Sequence, residues 1–136
     1  MSSVYLSGPL ANCNEIEAKG WRVEARRLLD PIRVADPLER WYRGGYEGLT
    51  EREKLQIVDR DLEQIGASDV VLACCWKCGW GTAQEVLYAH WWRIPVVVVA
   101  PTMDVSPWLV AHSTVVFTDL RAGCEWIRER FGVGSG

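Results

Sequence analysis

Two short apolar runs with a helical stretch between them constrain this chain more than any other feature. Residues 69–75 and 95–100 are rich in β-branched side chains, and the second is apolar throughout, as a strand covered on both faces must be. Between them, residues 82–92 read as a helix. Strand, helix and strand in that order make a right-handed crossover between parallel neighbours.

The alternation continues in both directions. Residues 3–7 alternate and stop at Gly8-Pro9, a first strand ended by a turn. Asn12 or Asn14 can cap a helix running to about residue 29, with Ile16, Val23, Ala25 and Leu28 supplying its apolar face. Residues 31–35 form a short second strand before Asp36-Pro37. The segment 38–48, rich in Trp, Tyr, Arg and Gly, has no period and reads as a functional loop or lid. Thr50 and Glu53 then form a capping box for a helix whose stripe is Leu55, Val58, Leu62 and Ile65, ended by Gly66. After the run 95–100 come a loop at 101–108, a short strand at 114–117, and a last helix capped by Asp119. The expected fold class is α/β: a single-domain Rossmann-like, flavodoxin-like three-layer sandwich over residues 1–131, with a parallel sheet of about five strands. Residues 132–136 are expected to be a flexible tail.

Composition narrows the partners. Fifteen basic against eighteen acidic residues, with no basic block, argue against a nucleic-acid polymer. The longest apolar run is far below membrane-spanning length, and Met1-Ser2-Ser3 leads into a strand rather than a signal peptide, so no membrane partner and a cytoplasmic location are expected. Five cysteines, an odd number, do not suggest a disulfide framework. Cys75 and Cys78 have CxxC spacing, but His90, His112, Cys13 and Cys124 stand at no ligand-like spacing to them, so neither metal nor cofactor is expected. Eight tryptophans are many for this length, and Trp80, Trp91, Trp92 and Trp108 are placed to line a pocket or a subunit interface.

In a parallel sheet of this kind a ligand binds beyond the carboxyl ends of the strands. Four segments reach that edge: Ser7-Gly8-Pro9, the loop at Asp36, the glycine-rich turn around Gly79 and Gly81, and residues 101–108. The turn stands between a strand and a helix start, where glycine lets a ligand approach the backbone and unpaired amides face it. Glu85, one turn into that helix, would face such a ligand. Thr82 and Glu85 also have capping-box spacing, in which Glu85 would only bond back to the Thr82 amide. Asp61 on its helix reads equally as a solvated charge, Tyr5 as core, Asp36 as a turn residue, and Arg33, Arg40 and Arg43 as phosphate contacts or plain surface.

With these segments assembled, the chain resembles the nucleoside 2'-deoxyribosyltransferase family. The residues that carry the resemblance are Val4-Tyr5-Leu6-Ser7-Gly8-Pro9, then Asp61-Leu62 with Ile65 and Ser68-Asp69. Gly81-Thr82-Ala83-Gln84-Glu85 with Ala89, and Pro107-Trp108-Leu109, complete it. The resemblance implies that Glu85 is the nucleophile, holding the deoxyribosyl group covalently in a retaining double displacement. It implies that Asp61 contacts the base and helps protonate the leaving nitrogen, and that Tyr5 orients Glu85. Ser7, Gly8 and Pro9 would wall the sugar pocket, with Asp36, Gly79, Gly81 and Thr82 as further substrate-binding positions. Asp104, Ser106 and Trp108 fall on a loop that reaches a neighbouring subunit's site, which implies a homo-oligomer. The implied partners are nucleosides and free nucleobases. One departure stands out: many members carry an acidic residue six positions before the nucleophile to bind sugar hydroxyls, and here that position is Gly79.

The chemistry is coherent without the family. Cleaving a glycosidic bond passes through an oxocarbenium-like state, and two carboxyl groups are the usual equipment. Two rivals remain open on the sequence. One is an N-glycosidase acting on nucleoside 5'-monophosphates, although residues 7–14 lack an arginine for the phosphate. The other is a non-catalytic nucleotide sensor, in which Glu85 is only a cap.

Overall fold

The computed structural model describes residues 2–10, 13–39, 46–77 and 79–132. In chain order these form β1 (Ser3–Ser7), α1 (Glu15–Leu29), β2 (Arg33–Ala35), a single 3-10 turn (Pro37–Glu39), α2 (Glu51–Gly66) and β3 (Val70–Cys74). Then follow α3 (Trp80–Trp91), β4 (Val96–Val99), α4 (Pro107–His112), β5 (Val115–Phe117) and α5 (Leu120–Phe131). The five strands make one sheet in the order β2-β1-β3-β4-β5, every pair parallel. The α/β sandwich expected from the alternation is therefore present. Among the described residues no helix is long and apolar enough to cross a membrane.

Period-two alternation sorts the strand side chains onto two cores. Val4, Leu6, Val70, Leu72, Val97 and Val99 pack with Ala25 and Leu29 of α1 and Ile127 of α5. Tyr5, Val71, Ala73, Val96 and Val98 pack with Ile65 of α2 and with Val86 and Ala89 of α3. Both faces of the sheet are thus covered, which is why β3 and β4 carry no polar residue. The sorting also decides where chemistry can occur, because Tyr5 and Ser7 are both buried on the face that meets α3.

Capping fixes three helix starts as the sequence indicated. Asn14 with Glu17 and Thr50 with Glu53 close full capping boxes, and Asp119 accepts from the Ala122 amide. The helix faces depart from expectation in two places. On α1 the buried stripe is Ala18, Arg22, Ala25 and Leu29, while Ile16 and Val23 are exposed. Arginine reads as a surface residue, so a stripe built through Arg22 is invisible to a hydrophobicity pattern. On α2, Leu55 and Val58 are exposed and only Ile65 is fully buried. A helix of 16 residues is about 24 Å long, and a strand of five about 17 Å. The first turns of α2 therefore overhang the carboxyl edge of the sheet rather than covering it. The segment 101–108, expected to be a loop, gives way at Pro107 to α4, whose start is capped by Ser106. Six residues are too few to show a helical period. The end of α3 meets the end of α4 at His90 and His112, whose ring centroids lie 5.0 Å apart although nothing in their spacing related them.

Gly8 is among the glycines that contact requires. A Cβ on Gly8 would lie 2.5 Å from Cζ2 of Trp21 and 3.2 Å from the carbonyl oxygen of Cys74. The backbone oxygen belongs to β3 and cannot yield, so Trp21 must move. Gly8→Ala is expected to lower stability by about 1–3 kcal/mol, read from the midpoint of urea unfolding with the slope unchanged.

Candidate active site

The strand order reverses direction at β1 and β3. From β1 the chain crosses to β2 on one side, and from β3 to β4 on the other, so the loops leaving β1 and β3 part and open a crevice at the carboxyl edge. Ser7-Gly8-Pro9 forms one lip and the turn before α3 the other. Gly79 is the N-cap of α3, and no side chain caps the helix.

That observation separates the two readings of Glu85. The helix begins at Trp80, so Thr82 lies inside it, and the capping role that Thr82 and Glu85 could have shared does not exist. Glu85 instead turns toward β1. The Tyr5 hydroxyl donates to its Oε2, and the Ser7 hydroxyl donates to its Oε1 at 2.9 Å. Positions 5 and 7 share one face of a strand, so a single pair of alternate residues grips both carboxylate oxygens.

Burial pushes the Glu85 carboxyl up to about 7. The Tyr5 and Ser7 hydrogen bonds oppose that rise by stabilising the anion, and the negative charge of Asp61 adds to it. The Tyr5 phenol is driven far above its ordinary range, chiefly by burial and then by the charge of Glu85, and so remains a donor. The group is thus poised near neutrality between acid and carboxylate.

A cavity of about 190 Å³ lies over this carboxyl. Gly8, Pro9, Gly79, Gly81, Thr82, Asp61 and Glu85 all border it, which brings together most of the residues singled out in the sequence. Trp80, expected at a pocket or an interface, also lines it, as does Tyr46 from the segment read as a functional loop, whereas Leu10 and Pro37 were not foreseen. Pro37 and Tyr46 flank the segment 40–45, which lies outside the described residues together with Arg40 and Arg43, and Tyr46 alone had no periodic neighbour to mark it. Gly81 faces open space: a Cβ there would meet nothing within 4 Å, so its lack of a side chain widens the cavity. Cys78 of the CxxC pair is likewise outside the described residues. Burial pushes Cys74 and Cys124 up to about 12, so both are protonated core thiols.

One expectation is corrected. Asp36 does not border the cavity; it is buried, and its carboxylate is taken up by Arg22 at 2.7 Å, Arg26 at 3.7 Å and the Leu38 amide at 3.0 Å. Its role is structural because a buried carboxylate is held by whichever cation and amide compensate it. Asp104, Ser106 and Trp108 are exposed and border no part of this cavity within the same chain. The residue overlooked was Arg22. Its guanidinium bonds the carbonyls of Ala18, Leu6 and Gly8 as well as Asp36, and so fastens the lip that follows β1.

No protein-family model and no curated protein matches the chain. Solved structures do match it. A 2-deoxyribosyltransferase from the psychrotolerant bacterium Bacillus psychrosaccharolyticus superposes with a TM-score of 0.71 at 21% identity, over 89% of each chain. A conserved protein from Enterococcus faecalis V583 gives 0.73 at 18% identity, over 96% of this chain and 99% of that one. A 2-desoxiribosyltransferase from Leishmania mexicana gives 0.70 at 16% identity, again over 96% and 99%. The chain is therefore built on the fold of solved 2-deoxyribosyltransferase structures, along nearly its whole length.

Proposed function

We propose that this protein transfers a 2'-deoxyribosyl group between nucleobases through a covalent intermediate on Glu85. The observation that carries the reading is the carboxyl of Glu85, released from any capping role, gripped on both oxygens by Tyr5 and Ser7, and facing a cavity that Asp61 also borders. A Glu85 oxygen attacks the anomeric carbon, the bond from carbon to base nitrogen breaks, and its electron pair leaves on the base. Asp61 supplies the proton that the departing nitrogen takes. A second base then displaces the ester, giving its own proton to Asp61 and returning Glu85 as a carboxylate. Two inversions retain the configuration at carbon. The solved 2-deoxyribosyltransferases that share the fold support this choice of substrate over other glycosides. Nucleosides and free nucleobases are accordingly the partners.

With Gly79 where an acidic side chain would bind sugar hydroxyls, that task falls to Thr82 and to the backbone at the start of α3. Apolar side chains left open on α3, α4 and the loop between β4 and α4, among them Trp80, Trp91, Met103 and Trp108, support an assembly of several copies. Asp104, Ser106 and Trp108 would then reach a neighbouring site.

The test is incubation with thymidine or deoxyinosine, with and without adenine. New deoxyadenosine that forms only when adenine is present establishes transfer; free base without a new nucleoside overturns transfer in favour of hydrolysis. Silence with nucleosides and with 5'-monophosphates would instead leave a binding protein. Tyr5→Phe removes the hydrogen bond that holds the Glu85 carboxyl down. Its pH profile for kcat/KM is expected to shift to higher pH, with a loss of about 10- to 100-fold at neutrality. A profile unmoved by the substitution would deny Tyr5 its influence on the carboxyl.

A further inference from the structure

The cleft does not end at Asp61. A second chamber of about 160 Å³ adjoins the cavity over Glu85 and shares Leu10, Pro37, Tyr46 and Asp61 with it. Its far wall is the overhanging part of α2, where Gln56, Ile57, Arg60 and Asp61 follow at helical spacing and so lie on one side. Among the described residues Gln56 and Arg60 make no hydrogen bond or ion pair, and both are exposed. The remaining lining is Leu10, Pro37, Leu49 and Ile57, all apolar, and Glu53, whose carboxylate is turned back to accept from the Thr50 amide at 2.9 Å.

We infer that this chamber is a specificity subsite for the nucleobase, in which Arg60 selects bases that present a carbonyl oxygen over bases that present an amino group. The inference rests on the proposed function and deepens it. Apolar walls suit the faces of a planar heterocycle, and the polar groups then meet its edge. Arg60 offers only donors, in a planar fork, so its partner must supply acceptors. A 6-oxopurine does so with its adjacent carbonyl oxygen and ring nitrogen, the pair that arginine binds bidentately. Adenine turns an amino group toward the same fork, and two donors face each other without a bond. Gln56 carries both a donor and an acceptor and so tolerates either edge. The preference therefore resides in Arg60.

Binding of free bases tests this directly, since no sugar donor is present to react. Titration calorimetry of the wild-type protein with hypoxanthine is expected to give at least tenfold tighter binding than with adenine. Arg60→Ala is expected to erase that margin by weakening hypoxanthine while leaving adenine nearly unchanged. Arg60→Lys, which keeps the charge but not the fork, should recover only part of it. An unchanged ratio in R60A overturns the inference, as does a wild-type protein that binds neither base or prefers adenine. Failure of the transferase reading is distinguishable: an Arg60-dependent preference in binding without any base exchange would sink transfer alone. Exchange with an R60A ratio equal to wild type would sink this subsite alone.

Discussion

Glu85→Gln is expected to abolish the proposed base exchange, with turnover falling by about 10⁴-fold or more, the scale of losing a covalent nucleophile. The amide fills the same space, its oxygen accepting from one of the Tyr5 and Ser7 hydroxyls and its NH2 donating to the other, so the fold and the cavity persist. Circular dichroism should therefore match wild type while activity does not; exchange at the wild-type rate in E85Q would remove Glu85 from the mechanism. A pH signature accompanies the loss. Because the folded-state value is about 7 against an ordinary 4.5, the native state keeps its proton where the unfolded chain has released it. Wild-type stability thus carries a contribution that is present at low pH and is lost as pH rises from about 4.5 through about 7. E85Q lacks that decline, so its urea midpoint should gain on wild type across this window. Wild-type kcat/KM is expected to run the other way and rise through about 7, since the proposed attack needs the anion.

Arg22→Met is expected to destabilise the protein by about 3–5 kcal/mol, the range for removing one partner of a buried ion pair. The guanidinium is almost wholly inaccessible, and losing it strands the Asp36 carboxylate and the carbonyls of Leu6 and Gly8 together. Removing the charge of Asp36 as well separates these contributions. Arg22→Met with Asp36→Asn should regain about half of the loss, because the uncompensated charge disappears while the two carbonyls stay unpaired. Chemical unfolding of the three proteins measures this; a double variant no better than the single would assign the cost to packing and carbonyls. Exchange activity should drop in both variants, since the Gly8 lip of the cavity loses its fastening.

The reach of sequence reasoning follows from what each kind of pattern encodes. Strands β1, β3 and β4 were legible because buried parallel strands must be short and apolar, and the helices at Asn14, Thr50 and Asp119 because caps are local. Glu85 was legible as a candidate, but choosing between cap and pocket needed the true start of α3, which glycine at the N-cap leaves unmarked. Asp36 and Arg22 lay beyond reach for a single reason: their pairing joins residues on different elements, and neither type is expected in a core. The overhang of α2 was hidden as well, since Leu55 and Val58 keep a helical period where no sheet remains for them to cover.

The two hydrogen bonds on Glu85 bridge 80 and 78 residues of sequence. No local segment can hold half of this site, and closing either bond carries the chain-entropy cost of that long separation. Burial raises the carboxyl, and β1, paired beside β3, supplies both donors that oppose the rise, so the acidity of Glu85 belongs to the assembled sheet rather than to the glycine-rich turn.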